Sequence, residues 1–118
     1  MNAQFEDLIG KTLTKVAKKN LDTEIHFTTT DGAEYKMHHL QDCCESVEIE
    51  SIVGELDDLV GSPILVAEES SDHNETDGGD ERWTFYKIAT VKGWVDIRWY
   101  GSSDGYYSTS VDFELVSK

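Results

Sequence analysis

Apolar and polar residues alternate along most of this chain, and the alternation predicts strands. In Glu24-Ile25-His26-Phe27-Thr28-Thr29, Ile25 and Phe27 share one face. Asp31-Gly32 is a two-residue hairpin signal. The return strand, 33–39, places Tyr35, Met37 and His39 on one face and Glu34, Lys36 and His38 on the other. The adjacent histidines His38 and His39 are thus expected to have different surroundings. A weaker alternation predicts an earlier strand over 12–17. Val47, Ile49 and Ile52 alternate with Glu48, Glu50 and Ser51, and 64–68 reads as one more strand. Toward the C-terminus, 83–91 and 94–100 pair about a Lys92-Gly93 turn. The segment 106–116 completes a three-stranded meander, with Val95, Ile97, Trp99, Tyr107, Val111 and Phe113 toward the core.

Two short stretches follow the helical period. Phe5, Leu8 and Ile9 stand at i, i+3 and i+4 and predict a helix over 3–9. Asn2 is its expected cap, Glu6 and Asp7 suit its first turns, and Gly10 its end. Leu56, Leu59 and Val60 repeat the spacing over 55–60, stopped by Gly61 and Pro63. Segments 6–13 and 57–64 echo one another as acidic turn, glycine and strand entry, which shared local grammar explains. Residues 69–81 are polar and acidic and read as a surface loop. The expected fold is a single α+β domain over 1–118. It is mainly antiparallel sheet, with the C-terminal meander and two short helices.

Charge changes the picture at the surface. Twenty-four acids face ten Lys plus Arg, a net charge of -14. Such a surface repels phosphate backbones and anionic lipid, so neither nucleic acid nor membrane is an expected direct partner. The acids are dispersed, which serves solubility; the sharper reading is a surface that docks on a basic partner. No stretch approaches the about twenty apolar residues of a membrane helix, and the first ten residues have no apolar core of a leader. A cytoplasmic protein is expected. Its only two cysteines, Cys43 and Cys44, are neighbours. A bond between neighbours closes a strained ring, so both are expected to stay reduced.

The chemistry gathers at 38–45. His39, Asp42, Cys43 and Cys44 are metal ligands by type, but adjacent cysteines on extended chain point apart, and structural zinc sites space theirs by about two to four residues. No metal and no cofactor is expected. A thiol nucleophile would need Cys43 activated by His39, with no motif fixing that geometry. The plainer reading is a buried Cys43 with Asp42 capping a turn. Between these lies a polar recognition pocket built from His39, Gln41, Asp42, Cys43, Cys44 and Glu45. The acidic run from Asp72 fails as a calcium loop, because Asp77 and Trp83 fall where glycine and glutamate are required. Trp94, Arg98 and Tyr100 share the face opposite Val95, Ile97 and Trp99 and form a second candidate patch. The alternative is that a second layer, a helix or the mate in a homodimer, covers these rings.

The string Tyr35-x-Met37-x-His39-x-Gln41-Asp42-Cys43-Cys44-Glu45-Ser46-Val47-x-Ile49-Glu50 resembles the signature of a family of small bacteriophage and bacterial proteins of unassigned function. Leu59-Val60-Gly61-Ser62-Pro63-Ile64-Leu65, Trp83-Thr84-Phe85-Tyr86-Lys87 and Ile97-Arg98-Trp99-Tyr100-Gly101 fit it too, as does Gly105-Tyr106-Tyr107-Ser108-x-Ser110-Val111-Asp112-Phe113. The family carries an aromatic at the place of His38, so His39 matches its histidine. The resemblance implies an intracellular, often phage-encoded, stand-alone domain, in the host cytoplasm if so. Small acidic proteins of that kind often block a host factor, such as a defence protein, which is an argument from kind. The expected function is therefore a non-enzymatic binding protein that blocks a host protein or sequesters a small signalling ligand. One alternative is a metal- or thiol-dependent enzyme centred on His39, Cys43 and Cys44. Another is an acidic mimic of nucleic acid.

Overall fold

The computed structural model describes residues 2–117, without the side chain of Thr76. The strands are β1 (Leu13–Lys19), β2 (Glu24–Thr29), β3 (Glu34–His38), β4 (Ser46–Val53), β5 (Val66–Thr76), β6 (Gly79–Thr90), β7 (Gly93–Ser103) and β8 (Asp112–Ser117). They form two antiparallel sheets, ordered β1-β2-β3-β8 and β4-β7-β6-β5. The alternation dictates which faces meet. Ile25, Phe27, Tyr35, Met37 and Phe113 from the first sheet join Val47, Ile49, Tyr86, Ile88, Val95, Ile97 and Trp99 from the second in one core. Trp99 is fully buried, and its indole Nε1 donates to Met37 Sδ across the sandwich at 3.2 Å. Burying a ring of that size removes roughly 150–250 Å² from water, a gross stabilisation of about 4–6 kcal/mol.

The expected helices do not form, and the fold is not α+β. Each is one 3-10 turn, Phe5–Leu8 and Leu56–Leu59. The apolar pairs Phe5/Leu8 and Leu56/Leu59 need only the i, i+3 overlay of a 3-10 turn. The i+4 residue that would call for an α-helix, Ile9, is 50% exposed. Nor does Asn2 cap the first turn. It bridges to Glu114, and the Asp7 carboxylate accepts the Gln4 N–H instead. Both turns join the sheets. Phe5 lies 4.8 Å from Tyr86 of one sheet and 5.5 Å from Phe113 of the other.

The expected C-terminal meander is also corrected. β6 and β7 form its hairpin, with Val91-Lys92 as the turn because Thr90 pairs with Gly93. Past β7, however, the chain crosses to the other sheet, where β8 pairs with β3. Phe113 sits opposite Met37, and its ring stacks on Tyr35 at 5.4 Å. This aromatic packing outweighs the shorter connection to β7. The expected loop 69–81 is a hairpin as well. β5 and β6 pair throughout, from Val66 opposite Ala89 to Thr76 opposite Gly79. The Asp77-Gly78 turn was the missed signal, the same chemistry as Asp31-Gly32. Gly79 has φ +147, and a Cβ there would run into the carbonyl of Ser103.

The two halves of the chain repeat one plan. Each has a 3-10 turn, a meander of three strands, and a fourth strand given to the other sheet, β4 beside β7 and β8 beside β3. The echoing segments touch where the halves meet. Gly10 N–H donates to Ile64 carbonyl, and Gly61 N–H donates to Leu13 carbonyl, at 2.8 and 2.9 Å. Gly10 corresponds to Gly61 and Leu13 to Ile64 in the echo, so the exchange is reciprocal. Thr12 and Pro63, which also correspond, form a bridge between them.

Candidate functional site

The loop between β3 and β4 folds around its own carboxylate. Its residues leave the strand at His39, so strand parity stops governing where side chains point. Glu45 is fully buried and its partner ring, His39, is 4% exposed. Glu45 Oε2 accepts from the Asp42 N–H at 2.9 Å and faces His39 Nε2 at 2.8 Å. Glu45 Oε1 accepts from the Cys43 N–H at 2.9 Å. The Gln41 amide donates to the Glu45 carbonyl at 2.7 Å. Desolvation raises the Glu45 pKa, but the hydrogen bonds from His39 and from the Cys43 and Asp42 amides outweigh it and hold the carboxyl at about 2. On its other side, His39 Nδ1 lies 2.6 Å from the Ser110 carbonyl, which can only accept. Both ring nitrogens are therefore engaged by oxygens of the protein, and neither is left to ligate a metal or to take a proton from Cys43.

The cysteines depart from expectation. Cys43 and Cys44 lie in a bend, not in a strand, and their sulfurs are joined in a disulfide between neighbours. The expectations of reduced, opposed thiols and of a buried Cys43 are overturned, because the sulfurs are bonded to one another and both residues are exposed on the loop. A polar groove of about 560 Å³ runs beside the loop, lined by His39, Leu40, Gln41, Asp42 and Glu45 and, across it, Ser108, Ser110 and Asp112. Neither cysteine lines it. His38 lies apart on the outer face of the first sheet, with Nε2 2.6 Å from Glu114 Oε1.

The second candidate patch grows when the sheet is assembled. Trp94, Arg98 and Tyr100 do share the outer face of β7. Register then places Trp83 opposite Tyr100, Phe85 opposite Arg98 and Lys87 opposite Asp96. Trp94 is 55% and Phe85 37% exposed. Trp83 and Tyr100 pack at 5.3 Å, and the Tyr100 hydroxyl donates to Glu81 Oε2 at 2.5 Å. That bond to a carboxylate raises the Tyr100 pKa, with desolvation adding to it. Arg98 is held by Glu50, Nε to Oε1 2.7 Å, and Lys87 Nζ lies 5.5 Å from the centre of the Trp94 ring. A cavity of about 430 Å³ crosses all four strands, with Ser51, Val53, Glu68, Ser70, Phe85 and Asp96 among its lining. Phe85, Trp83 and Lys87 were missed from sequence, although their β6 alternation carried the signal.

Comparison with known proteins places the chain. A family described as a domain of unknown function, DUF7448, matches residues 6–113. The chain belongs to the DUF7448 family. No curated protein and no solved structure matches it. The match to the DUF7448 domain takes in both the acid-centred loop and the aromatic sheet face. Among the described residues of this DUF7448 domain, His73, Glu75 and Asp80 alone bring three ligand-type groups within 4.8 Å, on the β5–β6 hairpin and far in sequence from His39. No helix among those residues is long and apolar enough to cross a membrane.

Proposed function

We propose that this DUF7448 domain is a non-enzymatic binding module whose docking surface is the outer face of the β4-β7-β6-β5 sheet. The comparison of its own two halves carries the reading. The outer face of the first sheet is polar and internally paired. His26 contacts Glu24 at 2.8 Å and Glu34 at 3.0 Å, and those bonds to His26 lower both carboxyl pKa values. The equivalent face of the second sheet instead exposes Trp94 and Phe85 beside an open cavity. Aromatics in such a setting dominate recognition energetics, and a volume of this size suits a side chain or small ligand. Its acidity fits a protein that occupies a partner's basic surface, as a phage-encoded blocker of a host factor would.

The polar groove beside His39 supports a second reading, capture of a small polar ligand. An enzyme centred on His39, Cys43 and Cys44 is disfavoured, because the histidine's nitrogens are both engaged and the sulfurs are joined. Amide NMR of the labelled domain, titrated with defined peptides and nucleotides, separates the readings. Shifts confined to the outer face of β4 to β7 are expected. Shifts centred on 39–45 and 108–112 would transfer the function to the groove.

A further inference from the structure

We infer that the occupant of the outer sheet face is a cationic segment of a protein partner, recognised through a guanidinium or ammonium group set against Phe85 and the acids that surround it, Glu68 and Asp96 among them. The inference rests on the docking reading above and adds the chemistry of what docks. Both bases on this face are already engaged. Arg98 pairs with Glu50, and Lys87 lies over the Trp94 ring. Register sets Lys87 between Glu68 and Asp96, yet neither carboxylate forms an ion pair among the described residues. Glu48 and Asp72 of the same face are equally unpaired. Lys87 and Arg98 also line the cavity, so what the surface offers is a ring floor with an excess of carboxylates, Glu48, Glu50, Glu68, Asp72, Glu81 and Asp96 against those two bases.

A ring face attracts a cation through its quadrupole, most strongly when the cation is partly desolvated. Carboxylates at the edge add direct attraction and, for arginine, fork-shaped hydrogen bonds. Lys87 over Trp94 shows that geometry already realised within the domain. The small side chains of Ser51 and Ser70, beside Arg98 and Phe85 in register, leave the space that a partner's side chain would fill. An anionic occupant meets this excess of carboxylates. A second copy of the chain brings another net -14 and the same acidic rim, so self-association through this face is opposed by like charge.

The test uses the full chain and three peptides: alternating arginine and glycine, the same with citrulline in place of arginine, and the same with glutamate. Citrulline keeps the shape of arginine and removes its charge. Binding is read by calorimetry and tryptophan fluorescence at about 0.15 M salt, where diffuse attraction is screened beyond about 8 Å. The arginine peptide is expected to bind at least about tenfold tighter than the citrulline peptide. Phe85→Ala and the pair Glu68→Gln/Asp96→Asn should each weaken it roughly threefold to tenfold. The control pair Glu6→Gln/Asp57→Asn, on exposed acids of the 3-10 turns, should leave it unchanged. Thermal melts confirm that each variant folds.

Equal binding of arginine and citrulline peptides, with dependence on Phe85, would overturn the cationic occupant and leave the docking face standing. Equal loss in the control pair would reduce the effect to net charge and also overturn it. A dimer that Phe85→Ala dissolves would identify the occupant as a second copy, again overturning it. Binding of any peptide without dependence on Phe85 would remove the docking face itself.

Discussion

Glu45 shows how one residue can organise a loop. Its carboxylate gathers the His39 ring and two backbone amides that otherwise lack partners, so the order His-x-Gln-Asp-Cys-Cys-Glu reads as a folding instruction before it reads as a reaction site. In the unfolded chain Glu45 titrates near its ordinary 4.5, and in the fold at about 2. A depressed carboxyl stabilises the fold above the unfolded value, and that contribution is lost as pH falls from 4.5 through about 2. Glu45→Gln should therefore melt lower than wild type near neutral pH, and the gap should close across that window. Calorimetry from about pH 7 to about pH 2 checks this, and a gap that stays constant with pH would refute it. Trp99 gives the corresponding test in the core. Trp99→Ala removes the cross-sheet indole and should cost about 3–5 kcal/mol, measured by urea unfolding. The sequence made the burial of Trp99 legible, because β7 alternates cleanly. It did not reveal the role of Glu45, since an acid in a polar turn looks solvated until its donors close around it.

At the scale of elements, the two 3-10 turns are equivalent plugs between the sheets. Leu8 and Leu59 occupy matching positions in the echo and both are fully buried. The Asp58 carbonyl also accepts from Thr90 Oγ1 at 2.6 Å. Leu8→Ala and Leu59→Ala should destabilise by similar amounts, each about 2–5 kcal/mol, again read by urea unfolding. A loss at only one of them would break the equivalence of the halves. Strand existence was legible from alternation at β2, β3, β4, β6 and β7. The β5–β6 hairpin was not, because Ser70 to Glu75 are exposed on both faces and carry no apolar period to read. The apolar triplets were over-read as helices because i, i+3 spacing serves a 3-10 turn equally well.

Across the whole molecule, acids outnumber bases by enough that self-repulsion opposes the compact state. Raising salt from about 0.01 M to about 0.15 M shortens the screening length from about 30 Å to about 8 Å. The melting temperature should rise over that range. A fall would mean that ion pairs such as Arg98 with Glu50 and Lys18 with Asp22 outweigh the repulsion. By itself the sequence determined the charge, most of the strands and the inward face of each, because these follow from residue type and from a period of two. The tertiary structure alone decided the partners. Which sheet receives β4 and β8 depends on long-range packing such as Phe113 on Tyr35. Whether Phe85 and Trp83 join Trp94, Arg98 and Tyr100 depends on register between β6 and β7. Whether His39 is a ligand or a donor depends on Ser110, far along the chain. No local pattern encodes a contact between residues that only the folded chain brings together.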